Sequence, residues 1–497
     1  MARASQPILG GDLVRCTLAV VAISLAAVPV FAASCESLAT LSLTDTTITK
    51  TESVAASQNW LTPHCRVAAT LRPSSDSDIR IEVWMPTSGW NGKYQAVGNG
   101  GWSGSISIRA MEEALKEGYA TSSTDTGHEG ASASFALGHP EKLIDYAYRS
   151  EHEMTVKAKA IIAAFYGREA KYSYWNGCSA GGKQALKEAQ RFPDDYDGII
   201  AGAPGNNWTG RAIYSMWVAQ ALHGDEASYI PREKYPMIHN AVLEACDALD
   251  GVRDGLLEDP TRCHFDPKVL ECKNGDGPAC LTALQVEAAR KIYSGAINPQ
   301  TKQQIFPGLE PGSELRWEVL GSPQPFSIGN DFFKYIVFKD PSWNFKTLNV
   351  GNDAALAEKI DNGLIDAKDP NLKSFFGHGG KLIQYHGWSD WQISPLNSVH
   401  YYESVVENIG GASQVQESYR LFMVPGMGHC GGGEGPNRFD MVGALEHWTE
   451  QGQAPARIIA SSADGKRTRP LCPYPQVAKY KGSGSTDDAA NFTCTRP

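Results

Sequence analysis

The chain has 497 residues, with 45 Lys and Arg against 55 Asp and Glu and a formal net charge of −10. No basic run appears anywhere to neutralise phosphates, which argues against nucleic acid as a partner. A hydrophobic content of 42% with 20% charged residues is ordinary for a soluble globular protein long enough to bury a large core.

Residues 1–32 read as a secretory signal peptide. Arg3 and Arg15 supply positive charge, "CTLAVVAISLAAVPV" is the apolar stretch, and "VFAA" offers small residues for cleavage after Ala32 or Ala33. A membrane anchor is the rival, but the stretch is short for a span, and no later segment is apolar enough to cross a bilayer. Cys35 raises lipid attachment, against which Ala32 is a poor match at the third position before it. The expected location is secreted or periplasmic. Cys16 leaves with the signal, so ten cysteines remain: Cys35, Cys65, Cys178, Cys246, Cys263, Cys272, Cys280, Cys430, Cys472 and Cys494. An even number in a secreted chain implies a disulfide framework. Structural zinc is a weak rival, because there is no CxxC.

Residues 80–98 favour β-branched and aromatic types in alternation and predict strands broken by a turn at Trp90-Asn91-Gly92. A glycine-rich loop, "GNGGWSGSIS", follows. Residues 108–117 and 150–166 have helical apolar spacing, the second stopping at Gly167. "YSYWNGC" predicts a strand, "KQALKEAQRF" a helix ended by Pro193, and "YDGIIAGAP" a buried strand. Strand–helix–strand alternation implies a parallel α/β sheet. From residue 206 to 370 the pattern breaks into Pro/Gly-rich stretches with four cysteines, which reads as an inserted lid. The alternation returns with a strand at 381–390, a helix near 394–408, a strand at 419–426 and a helix near 438–451. The tail beyond is expected to be loop-like. The chain is thus an α/β protein, with 33–205 and 371–497 forming one discontinuous catalytic domain around the lid.

Gly177-Cys178-Ser179-Ala180-Gly181 fits G-x-S-x-G, a sharp strand-to-helix turn that exposes a serine hydroxyl above the sheet. A serine needs a base, and the base needs an orienting carboxylate. Asp390, after the strand "KLIQYH", and His429, after the strand "LFMV", stand at strand carboxyl ends in the order Ser, Asp, His. His386 is a rival base. Beside Asp390 in the strand, it is preferred as a pocket wall or hydrogen-bonding residue. The oxyanion hole is expected from the N–H groups of Ala180 and Gly101. "CDALDGVRDGLLEDPTRC" (246–263) places Asp247, Asp250 and Asp254 inside eight residues between two cysteines. Carbonyls of Val252 and Leu256 would complete an oxygen cage for calcium, although the spacing is not that of an EF-hand, and a solvated acidic turn is the alternative.

The pairs Cys178-Ser179 and His429-Cys430, with Asp390 and the stretches "SYWNGCSAGGKQALKEAQRFPDDYDGIIAGAPG", "YHGWSD", "VPGMGHC" and "RPLCPYPQVAKYKGSG", resemble the tannase and feruloyl esterase family. The resemblance runs from about Cys35 to the C-terminus. It implies an α/β-hydrolase core and a lid with one structural calcium ion, held by Asp247, Asp250, Val252, Asp254 and Leu256. It implies Ser179 as nucleophile, His429 as base and Asp390 as orienter. It also implies the disulfides Cys178–Cys430, Cys35–Cys65, Cys246–Cys263, Cys272–Cys280 and Cys472–Cys494.

The expected activity is therefore a serine carboxylesterase acting on small aromatic esters, such as ferulate esters borne by plant polysaccharide. Gallate esters, or the half-esters of terephthalate cleaved by a bacterial relative of the family, are the alternatives. Arg316 could meet a substrate carboxylate but reads better as a surface residue. Trp208, Ile393 and His386 are candidates for the wall around the aromatic ring, and Trp388 reads as core packing. A non-catalytic calcium-binding protein on the same fold is a remote rival, because the Ser, Asp and His set is intact.

Overall fold

A computed structural model describes residues 33–57 and 62–497. The expected signal peptide lies outside the described residues.

A nine-stranded sheet forms the centre. Its strands are β1 (Thr46–Val54), β2 (His64–Leu71), β3 (Ile79–Pro86), β4 (Lys93–Val97), β5 (Ala120–Thr124), β6 (Tyr172–Cys178), β7 (Gly198–Gly202), β8 (Lys381–Gly387) and β9 (Tyr419–Val424). Their spatial order is β1-β2-β3-β5-β4-β6-β7-β8-β9. The pairs from β1 to β5 are antiparallel, and every later pair is parallel. β1 alternates half-buried with exposed residues at the open edge, whereas every residue of β5 and β7 is buried. Helices on both faces explain the buried central strands.

Helix α1 (Ile108–Lys116) joins β4 to β5, α2 (Ser150–Tyr166) joins β5 to β6, and α3 (Ala180–Arg191) joins β6 to β7. Gly167 ends α2 in the left-handed region at φ 69°.

Between β7 and β8 the chain leaves the sheet, in the segment read as the lid. Helices α4 (Trp208–His223), α5 (Tyr235–Cys246), α6 (Ala283–Ser294) and α7 (Val350–Asp361) carry much of it. Their apolar core includes Trp208, Tyr214, Trp317 and Phe333, and it is continuous with Trp102, Tyr146, Ala180 and Ile393 of the sheet domain. The excursion is therefore packed onto the carboxyl ends of the strands. Helices α8 (Leu396–Ile409) and α9 (Met441–Gln451) complete the core.

Two sequence expectations need correction. β1 and β2 were not foreseen, and the tail is not loop-like. Residues Ile458–Ser461 pair with Thr468–Leu471, and Val477–Tyr480 pair with Phe492–Thr495. Each tail strand has only four residues and is set among Pro, Gly and Ser, too short for alternation to register. All five disulfides pair as the resemblance implied.

Candidate active site

β6 runs into α3 through a turn that only small residues allow. A Cβ on Gly177 would stand 2.5 Å from the Gly181 carbonyl oxygen, and one on Gly182 would stand 2.3 Å from that of Gly202. Ser179 sits at φ 63° and ψ −117°, a strained conformation held because its neighbours over-determine it. Its N–H donates to Gly202 O (2.9 Å), and its carbonyl accepts from Gly205 N (3.0 Å). Ser179 Oγ lies 2.9 Å from His429 Nε2, and His429 Nδ1 lies 2.7 Å from Asp390 Oδ2.

The loop that carries His429 is fixed on several sides. Ser389 N donates to Met427 O (3.0 Å), and Trp388 N donates to Val424 O (2.9 Å). Gly428 leaves room for the Trp391 ring, which a Cβ there would meet at 2.0 Å. The Cys178–Cys430 disulfide, with Cα atoms 5.9 Å apart, ties the neighbour of the serine to the neighbour of the histidine.

Asp390 is fully buried and saturated with donors. Its Oδ1 accepts from Gln392 N (2.8 Å) and Ile393 N (3.1 Å). Its Oδ2 accepts from His429 and also from His386 Nε2 (3.0 Å). Burial pushes this carboxyl up, but the two histidines outweigh it and hold it well below the usual carboxylate range. Both nitrogens facing the ionised carboxylate must carry protons. That leaves His429 Nε2 free to accept from the Ser179 hydroxyl. His386 Nδ1 shares a hydrogen bond with Ser398 Oγ, 2.7 Å away.

Of the two readings of His386, pocket wall or hydrogen-bonding residue, the structure favours the second, and the wall is corrected. It is fully buried, and both ring nitrogens are used within the protein, Nε2 also lying 3.1 Å from Ile393 O. It stands behind Asp390, where it cannot meet a substrate. Trp208 and Ile393 both pack near Gly205, beside the serine turn, and both are buried.

The N–H groups of Ala180 and Gly101 have no hydrogen-bond acceptor among the described residues. The glycine loop is held against the serine turn by Gly181 N to Asn99 O (2.7 Å) and by the Tyr146 hydroxyl to Gly101 O (2.6 Å). Gly101 has φ 53°, and a Cβ there would stand 3.0 Å from Ile328 Cδ1 of the lid. A free amide on the serine turn and another on the loop held against it are donors of the kind that stabilise the oxyanion of acyl transfer.

Farther off, the acidic loop is stapled by Cys246–Cys263. Asp247 accepts from Gly255 N (3.2 Å), Asp250 from Val252 N (2.9 Å), and Asp254 pairs with Arg469. Asp247 and Asp250 form no ion pair among the described residues, although Arg469 lies close enough to pull the Asp250 carboxyl down. Burial first, then the neighbouring Asp254 and Asp247, push the Asp250 carboxyl up to about 6. The donor set is all oxygen, which suits a hard cation. Arg316 stands half-exposed over the Trp391 ring and bonded to Glu318, a surface placement, and Trp388 is buried packing.

Sequence reasoning missed two polar groups near the site. His239 of α5 bonds Glu314 (2.8 Å) and forms an ion pair with Glu434 (2.9 Å) of the His429 loop. Arg211 lies buried in α4. Its signal was available, as a lone cation inside the apolar run "AIYSMWVAQAL" and its flank.

Residues 65–495 match the profile of the family described as tannase and feruloyl esterase. An esterase of Xanthomonas campestris pv. campestris, itself uncharacterised, is 39% identical over 93% of this chain and 91% of its own. A probable feruloyl esterase B-2 of Aspergillus terreus is 34% identical over 88% of each chain. The crystal structure of feruloyl esterase B from Aspergillus oryzae superposes with a TM-score of 0.88 at 30% identity, covering 93% of this chain and 99% of that one. The nine-stranded sheet with its serine turn is thus an α/β-hydrolase fold. The chain belongs to the tannase and feruloyl esterase family and is a carboxylic ester hydrolase of feruloyl esterase-like type.

Proposed function

We propose that the chain hydrolyses esters of aromatic acids, hydroxycinnamates such as ferulate foremost, through an acyl-enzyme on Ser179. The observation that carries this reading is the unbroken line from Ser179 Oγ through His429 to Asp390, at 2.9 and 2.7 Å, beside two free amides. His429 Nε2 takes the Ser179 proton as Oγ attacks the ester carbonyl. Ala180 N–H and Gly101 N–H hold the tetrahedral oxyanion, and Asp390 stabilises the imidazolium. The imidazolium then protonates the leaving alcohol. Water attacks the acyl-enzyme by the same path, releasing the acid. Preference for an aromatic acyl group is supported by the rings next to the glycine loop. Trp102 meets Trp208 edge-on at 4.7 Å and Tyr146 at 4.6 Å.

A calcium ion on Asp247, Asp250, Asp254 and the carbonyls of Val252 and Leu256 would cross-link the acidic loop and relieve the crowding of its carboxylates. It takes no part in the chemistry proposed. Export to an oxidising compartment is supported by the five disulfides.

The test is a panel of methyl ferulate, methyl caffeate and methyl gallate with purified protein. Turnover of the hydroxycinnamates at a higher kcat/KM than the gallate is expected. Faster gallate cleavage would replace the feruloyl preference with a tannase-like one.

A further inference from the structure

Helix α2 offers His152 in its first turn, α3 offers Glu188 near its end, and the turn from α3 into β7 offers Asp195. One ligand atom of each lies within 4.8 Å of the other two. Glu188 is fully buried, and neither of its carboxylate oxygens has a hydrogen-bond partner among the described residues. No other carboxylate among them is buried and unpartnered at both oxygens. Glu151, buried almost as deeply, shows the contrast, for it accepts from Gln184 Nε2 (2.6 Å) and from the Ser150 hydroxyl (3.1 Å).

Buried acceptors without donors cost their full desolvation. Burial, then the charges of Asp195 and Glu151, push the Glu188 carboxyl well above the usual range. Two acids that converge in this way need a positive particle between them, a shared proton or a metal ion. A proton shared with Asp195 satisfies one oxygen of Glu188 and leaves the other orphaned. An ion held by both oxygens satisfies the pair, and it also uses the third convergent group, the imidazole. That ring is already aimed, stacked on Phe192 at 3.9 Å with Nδ1 2.7 Å from Asp195 Oδ2. Lys159, the cation acting on Glu188, donates its Nζ to the Asp195 carbonyl rather than to a carboxylate. The cluster is also open on one side. The His152 and Asp195 side chains are 30% and 12% exposed, so an ion enters past them and keeps water there.

We infer that His152, Glu188 and Asp195 form a site for a divalent metal of the zinc class, which clamps α2, α3 and the entry to β7 together. One imidazole and two carboxylates suit zinc, whereas calcium takes oxygen ligands alone. Zinc bonds of about 2.0–2.2 Å hold their ligands about 3.5 Å apart, so the 2.7 Å contact opens and the longer approaches close by about 1 Å. The proton of that contact, and any carried by Glu188, pass to solvent as the ion enters. Glu188 stands roughly 13 Å along α3 from Ser179, so the ion touches no reacting atom and its role is structural. The site shares no residue with the acidic loop of the lid.

The test uses the full protein, stripped with a chelator and then saturated with calcium, so that the acidic loop does not report. Zinc chloride is titrated by calorimetry, and melting curves are taken with and without it. A single zinc ion per chain with a raised melting temperature is expected, and crystals grown with zinc are expected to show an anomalous peak between the three side chains. Glu188→Gln keeps the shape and removes the charge. His152→Gln alters a half-exposed position, so it is informative even if the buried exchange fails to fold. Each is expected to weaken zinc binding by about 100-fold or more, the top of the range for changes to groups that merely support a ligand.

No zinc binding, an anomalous peak elsewhere, or an affinity unchanged in the variants overturns the inference. In each of those cases a shared proton, not an ion, closes the cluster.

Discussion

Replacing His386 tests whether Asp390 is shared between two histidines. Oδ2 of Asp390 accepts from His429 Nδ1 at 2.7 Å and from His386 Nε2 at 3.0 Å. A hydrogen bond to a charged group contributes about 1.5–3 kcal/mol. In His386→Leu the carboxylate loses that donor and becomes more basic, and Oδ2 is left to His429 alone. If about half of the energy passes to the imidazolium, its formation is favoured by about 0.7–1.5 kcal/mol, which is worth roughly half to one pH unit. The base must be neutral to act, so the acidic limb of kcat/KM moves up by that amount. The plateau falls as well, by about 10- to 100-fold, the usual cost of removing a group that orients a catalytic partner. Ser398 Oγ and Ile393 O lose their partner, so the fold weakens by roughly 1–3 kcal/mol. The assay is kcat/KM for methyl ferulate from pH 4 to 9, with a melting curve at each pH. His386→Gln keeps an N–H for Asp390 and shifts the limb less than leucine does. A limb in the same place for all three proteins, with the plateau unchanged, refutes the claim that His386 acts through Asp390.

Removing the Cys178–Cys430 tether by a double Cys→Ser exchange opens a link between residues 252 apart in sequence. Disulfides commonly contribute about 2–4 kcal/mol, and the chain-entropy model gives about 5 for so long a loop. A lower urea midpoint and a lower kcat are expected, and an unaltered kcat would show that the tether does not set the Ser179–His429 geometry. The His239 ion pairs join α5 to the His429 loop. Burial pulls this histidine down, but Glu314, which also accepts from the Tyr293 hydroxyl, and Glu434 raise it to about 9. The raised pKa adds stability that is fully present below about pH 6.5 and lost as pH rises through about 9, up to about 3 kcal/mol. Urea melts at pH 6.5 and 9.5 should show that drop in the wild type and a flatter response in His239→Asn; parallel losses in both would place the effect elsewhere. Calcium removal with EGTA should lower the melting temperature by several degrees, reversed by added calcium. An unchanged melting curve after verified metal removal counts against a bound ion.

The serine turn was legible because its constraints are local. Glycines at 177, 181 and 182 fall where a strand meets a helix, and close backbone approaches require them there. Asp390 and His429 were legible as polar residues following apolar strands. The disulfide pairing was not. It came from the resemblance, since spacing alone cannot say that Cys178 meets Cys430. β1 escaped because an edge strand with "TTITKTESV" has little buried surface to impose a pattern. For His386 the sequence left a pocket wall and a hydrogen-bonding role open, and the pleat of β8 and the turn after it decide for the second by aiming its ring at Asp390. Arg211 could have been noticed as one charge in an apolar helix. That it lacks a partner is a property of the packed lid alone.

Acylation of Ser179 is the step on which the proposed chemistry depends. Ser179→Ala removes one oxygen from a turn whose backbone is held by Gly202 and Gly205. The decisive measurement is kcat/KM for methyl ferulate in this variant, alongside its melting temperature. A fall of about 10⁴-fold or more with an unchanged melting temperature is the predicted result. Turnover within tenfold of the wild type would contradict it.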